Sequence, residues 1–202
     1  MPLTLPQRRP SQKQPQAGKK PPLVIGLDPS LTHFAAVCLS LDSDKPLLAE
    51  TLAPKTQGFE RIDQIVFWLD GVIMGKIVKH DIILVREDYA YSANDSADTP
   101  LKELGGVVAY HVYRRWGLPI HRLAVPSIKK FMFGKGNAKK QEMMREAFKH
   151  FRFEGDEHQT DAFAVAALAK AVISGKTPSQ LPAASREAVG SLRAKQHPLT
   201  LL

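Results

Sequence analysis

Residues 23 to 39 read LVIGLDPSLTHFAAVCL, and they set one carboxylate, Asp28, between two apolar runs. The first run, Leu23 to Leu27, has the length and unbroken apolar character of a strand covered on both faces. His33 to Leu41 reads as its neighbour, joined to it by the short Pro29-Ser30-Leu31-Thr32 connection. A third strand, Leu47 to Ala53, follows Asp42-Ser43-Asp44-Lys45-Pro46. Connections this short and this rich in turn formers make hairpins, so the three strands are expected to run antiparallel.

Beyond them the pattern changes period. Phe59, Ile62, Ile65, Val66, Leu69, Val72, Ile73 and Ile77 recur at three and four residues, which predicts an amphipathic helix. Asp81 to Val85 (DIILV) predicts a short buried strand ending at Arg86-Glu87. A helix from about Pro100 to Trp116, a strand over Pro119 to Ala124 and a short helix from Pro126 come next. Ala138 to Phe151 and His158 to Ile173 complete the helices. Three antiparallel strands followed by alternating helices and strands predict an α/β domain, a five-stranded mixed sheet with helices on both faces.

The chain has 202 residues and a formal net charge of +8, but the charge is unevenly placed. Residues 1 to 22 hold Arg8, Arg9, Lys13, Lys19 and Lys20 with no acid and little to bury, and read as a disordered basic arm. Residues 23 to 174 form the expected domain. Residues 175 to 202 read as a flexible tail, interrupted by Pro178, Pro182 and Pro198. Within the domain, residues 114 to 152 carry eleven bases against only Glu142 and Glu146. Such segregation suits a polyanion held on one face, although a solvated helix face would give the same composition. The longest nearly apolar run, Ala162 to Ser174, is too short for a membrane span and contains Lys170. Arg8-Arg9 leads into no apolar segment, so the expected location is the cytoplasm. The lone Cys38 excludes an internal disulfide and reads as a small core residue.

Reactive groups in an open α/β sheet collect where strand ends meet loops. Asp28 ends the first strand and Glu87 the fourth, so parallel pairing of the two would bring both carboxylates side by side. His158 and Asp161 lie three apart, on one face of a helix's first turn. Taken singly, Asp28 is also a turn former before Pro29, Glu87 a surface acid and Asp161 a first-turn charge favoured by the helix dipole. Together they form a set that repels itself unless a cation neutralises it. Oxygen-rich donors with at most one imidazole suit Mg²⁺, with Mn²⁺ as substitute. Two such ions about 4 Å apart activate water and stabilise a leaving oxygen in phosphodiester cleavage.

At these residues the sequence resembles the RuvC family of Holliday junction resolvases, within the RNase H-like nucleases, and above all its phage-borne members. Val24-Ile25-Gly26-Leu27-Asp28-Pro29-Ser30 resembles the family's opening I-L-G-I-D-P-G. Glu87 falls where the second acid closes the fourth strand, and His158-Gln159-Thr160-Asp161-Ala162-Phe163-Ala164-Val165-Ala166 resembles D/H-x-x-D-A-x-A-x-A. Ile128 to Lys140 (IKKFMFGKGNAKK) resembles V-K-x-x-V-x-G-x-G-x-A-x-K, with Lys129 and Lys140 on its two functional lysines.

The resemblance implies a homodimer that nicks two opposed strands of a four-way junction, leaving 5′-phosphate and 3′-hydroxyl ends. Asp28, Glu87, His158 and Asp161 would hold two Mg²⁺, and Lys129 and Lys140 would contact the scissile and adjacent phosphates. Lys130, Lys135 and Lys139 are further candidates for DNA binding. The helix matching Lys102 to Trp116 would pair the subunits, in the host or bacterial cytoplasm. Two departures stand out: Ser30 replaces a glycine, and Ala90 replaces an aromatic, leaving Tyr89 or Tyr91 to stack on unpaired bases. A silent junction-binding protein of the same fold is one alternative. A nucleotide-binding ATPase is another, but residues 23 to 174 are too few for its duplicated domain.

Overall fold

The computed structural model describes residues 20–77, 79–88, 95–136, 140–195 and 197–201. Most of the expected basic arm, with Tyr89, Tyr91 and Lys139, lies outside them. Five strands, β1 (Lys20–Asp28), β2 (Phe34–Ser40), β3 (Leu48–Leu52), β4 (His80–Glu87) and β5 (Ile120–Leu123), form one sheet in the order β3-β2-β1-β4-β5. β1, β2 and β3 are antiparallel, whereas β4 and β5 run parallel to β1. The mixed sheet expected from the sequence is therefore present, with β1 at its centre.

Alternation along the two central strands divides the core. Leu23, Ile25 and Leu27 of β1, with Ile82 and Leu84 of β4, face the helices α1 (Gly58–Ile77) and α2 (Asp95–Trp116). Val24, Ile83 and Val85 face the opposite layer, in which α5 (Glu157–Ser174) lies directly on the sheet beside α3 (Val125–Phe133), α4 (Lys140–Phe151) and α6 (Ala183–Ala194). Because Asp28 and Glu87 continue the second set, both carboxylates belong to the α5 face.

The fit between α5 and β1 leaves no room for a side chain at Gly26. A Cβ there would stand 2.1 Å from the Ala162 carbonyl oxygen and 2.7 Å from the Ala166 nitrogen. Alanines 162, 164, 166, 167 and 169 are all buried, so α5 meets the sheet through small side chains. On the other layer, Asp70 of α1 clamps α2: it accepts from Trp116 Nε1 at 2.7 Å, lies 3.0 Å from His111 Nε2 and pairs with Arg115 Nε at 2.9 Å. The thiol of Cys38 is buried, and burial pushes its pKa up to about 11, which suits the packing role read from the sequence.

The C-terminal segment differs from its expected flexible, helix-free form. Pro182 sits at the N-cap of α6, where a proline breaks nothing, and Ala188, Val189 and Leu192 are buried against the α5 side of the core. Ser185 donates to the Phe131 carbonyl of α3, and Lys130 pairs with Glu187 at 2.9 Å. Leu199, in the closing 3-10 turn Pro198–Leu201, is fully buried. The Leu199 amide donates to His197 Nδ1, which leaves His197 Nε2–H to donate to the Arg122 carbonyl of β5 at 2.8 Å.

His121 of β5 lies beside this latch. Burial, and secondarily the positive charge that His197 carries when protonated, holds its pKa below the ordinary histidine value. The unfolded chain therefore takes up this proton more readily than the folded one. The corresponding stability is present above the ordinary value and is lost as pH falls through it toward the lowered one. Stability to heat is expected to fall more steeply as pH drops below about 6.5 in the wild type than in His121→Gln. Superimposable pH profiles would refute this.

Candidate active site

Asp28 and Glu87 end neighbouring parallel strands, with Leu27 opposite Arg86 one position earlier. Asp28 is only 9% exposed, and Glu87, His158 and Asp161 are half-buried. His158 Nδ1 lies 3.0 Å from Asp28 Oδ2. A carboxylate accepts only, so Nδ1 carries the proton of this bond and Nε2 is left over. Asp161 follows one turn along α5, on the same helical face.

Asp156 is the N-cap of α5. Its side chain accepts from the Gln159 amide at 2.7 Å while the Gln159 side chain accepts from the Asp156 amide, a capping box. Its other carboxylate oxygen accepts from Thr51 Oγ1 of β3 at 2.7 Å. These bonds fix where α5 begins, and hence where His158 and Asp161 stand. The D-x-x-Q spacing was legible in the sequence as a cap; the Thr51 contact was not. Asp156→Ala is expected to cost about 1–2 kcal/mol in urea unfolding, the scale of a lost N-cap. A change below about 0.3 kcal/mol would show the cap to be dispensable.

The turn between β1 and β2 explains the serine that replaces glycine. Among the described residues Arg152 is the one non-glycine with positive φ, so Ser30 carries no left-handed strain. Its Oγ accepts from the Thr32 amide at 3.2 Å and the His33 amide at 3.4 Å, a side-chain turn that glycine could not make. His33, which the sequence reading passed over, stacks on His158 with ring centroids 4.9 Å apart and planes 6° from parallel.

The basic segment is less uniform than its composition. Lys129 of α3 is half-buried with no ion-pair partner among the described residues, whereas Lys130 is held by Glu187. Lys135 follows α3 in an exposed loop, and Lys140 opens α4, its side chain outside the described residues. Among the described residues no three acidic, histidine or cysteine side chains lie close enough together to form a metal cluster. The donor set gathered at the strand ends, carboxylates with one imidazole, is nevertheless of the type that hard divalent cations take.

A mixed sheet with this order, an acid ending its central strand and helices on both faces is an RNase H-like fold. Solved structures of the Thermus thermophilus RuvC protein share it. The structure of that protein in complex with Holliday junction substrate matches with a TM-score of 0.62 and 18% identity, over 76% of this chain and 96% of that one. A second T. thermophilus RuvC structure matches with a TM-score of 0.60 and 20% identity, over 77% and 98%. At such identities the likeness is one of fold. No protein-family model matches the sequence, and no curated protein matches it significantly. No described helix is long and apolar enough to cross a membrane.

Proposed function

We propose that the protein is a metal-dependent, structure-selective DNA endonuclease that resolves four-way junctions by paired nicks. The observation that carries this reading is the union of Asp28, Glu87 and His158 at one end of the sheet, two acids on one face of adjacent strands and the imidazole bonded to the first. Asp28, Glu87 and Asp161 would hold Mg²⁺ or Mn²⁺, which supplies Lewis-acid activation of water and of the phosphate. His158 orients a water through Nε2, its ring fixed by the bond to Asp28. Lys129 and Lys140 would meet phosphates at the rim, aided by the bases around them. The fold shared with a protein seen bound to a Holliday junction supports the choice of substrate.

The same reading includes a homodimer. α2 divides its faces: Leu104, Val108 and Val112 are buried against the sheet, whereas Val107, Tyr110 and Tyr113 are 41%, 67% and 62% exposed. Gly106 lies among the outward residues with open space over it. That face offers small and aromatic groups for a second copy of the helix.

The test is cleavage of synthetic four-way junctions beside forks, flaps and linear duplex, with Mg²⁺, Mn²⁺ or EDTA. Symmetric, ligatable nicks in the junction are expected with either metal. No cleavage of any branched substrate would sink the proposal. One competitor on the same fold is a junction-binding protein without catalysis. Tight junction binding in EDTA, with no cleavage under any divalent ion, would select it.

A further inference from the structure

We infer that His33 is a positioning residue of this site, acting through His158. The inference rests on the nuclease reading above and adds to it a residue that neither the acidic set nor the lysine motif contains. His158 has one directional restraint, the Nδ1–H bond to Asp28 Oδ2 at 3.0 Å, and a single hydrogen bond leaves the imidazole able to swing about the Nδ1 direction. His33 removes that freedom. Its ring lies 4.9 Å from the His158 ring and 6° from parallel, so His33 stacks against one face of His158. The main chain that carries the covering ring is itself held: Ser30 Oγ accepts from the His33 amide, and β2 begins at the next residue, Phe34, which is fully buried. Asp28, Ser30, His33 and His158 thus form one chain of restraints, running from the end of β1 through the turn and back to the first turn of α5. Hydrogen-bonding partners that orient a metal-ligating imidazole typically contribute about 10–100-fold to affinity or activity, and a stacked ring is set at the lower end of that range.

His33 is exposed, so its replacement should leave the fold intact. The tautomer of His158 can be read by nitrogen-15 spectroscopy at pH 8, where free imidazoles are neutral. In the wild type a single form with the proton on Nδ1 is expected. His33→Ala should give a mixture of tautomers and lower kcat for junction cleavage about tenfold with KM unchanged. His33→Phe, which keeps a flat ring, should restore the single tautomer and bring kcat back to within about twofold. Unchanged kcat in His33→Ala, or a His158 spectrum identical to wild type in that variant, would overturn the inference. If the wild type cuts nothing, the nuclease reading alone fails, and the spectra of His33→Ala and His33→Phe still decide whether His33 sets the ring of His158.

Discussion

Gly26→Ala is expected to unfold the protein some 6–12 °C earlier than the wild type, a loss of about 3 kcal/mol or more. The added methyl would stand 2.1 Å from the Ala162 carbonyl oxygen, 2.7 Å from the Ala166 nitrogen and 2.9 Å from the Ala166 Cβ. Two of these three neighbours are main-chain atoms of a helix buried along most of its length, so no rotamer change can make room. Either α5 lifts from β1 or β1 bends away from β4, and both open the core. The site would suffer with the fold, because lifting α5 carries His158 away from Asp28. Thermal unfolding followed by circular dichroism measures the first effect, and junction cleavage well below the melting temperature the second. A melting temperature within 2 °C of wild type, about the shift expected from 1 kcal/mol or less, would show that the strand and helix are less tightly seated.

Asp28→Asn is expected to abolish cleavage and leave stability intact. The substitution is nearly isosteric, and the amide oxygen can still accept the His158 Nδ1–H bond, so packing has no reason to change. The negative charge is lost. On the proposed reading, that removes the ligand at the centre of the metal site. A fall in kcat on the order of 10³-fold is expected, the scale for removing one group that meets developing charge. Junction affinity should hold or improve, since one fewer acid faces the phosphates. Stability should be little changed, because the substitution keeps the size of the side chain and its bond to His158. Cleavage within about tenfold of wild type would sink the assignment of Asp28. A large loss of stability would recast it as a structural residue.

The parts legible in the sequence were those governed by local pattern. Leu23 to Leu27 and Asp81 to Val85 are short apolar runs between turn signals, and both are central strands. The acids closing them could be placed side by side once parallel pairing was assumed. His158 and Asp161 followed from helical spacing. The C-terminal helix is masked in the sequence by its flanking prolines, although Ser185, Ala188, Val189 and Leu192 recur at three and four residues and are all buried. The partners of Asp156, Lys130 and His33 were out of reach for a different reason. Thr51 is 105 residues from Asp156, Glu187 is 57 from Lys130, and His33 meets His158 across the whole domain. Such pairs leave no periodic trace, and only the closed fold brings them together.

The ion pairs of the basic segment bear on how the protein would respond to salt. Of its eleven bases, Arg115 is held by Asp70, Arg122 by Asp88, Lys130 by Glu187, and both Arg145 and Lys149 by Glu146. Each base that neutralises a DNA phosphate releases condensed counterions and steepens the fall of affinity with salt by about 0.9 in the double-logarithmic slope. Eleven free bases would give a slope near −10 per subunit. With five keeping their partners the ceiling is nearer −5. On the proposed reading, DNA binding by this chain should therefore survive physiological salt better than its composition implies, with shape at the branch point carrying more of the affinity.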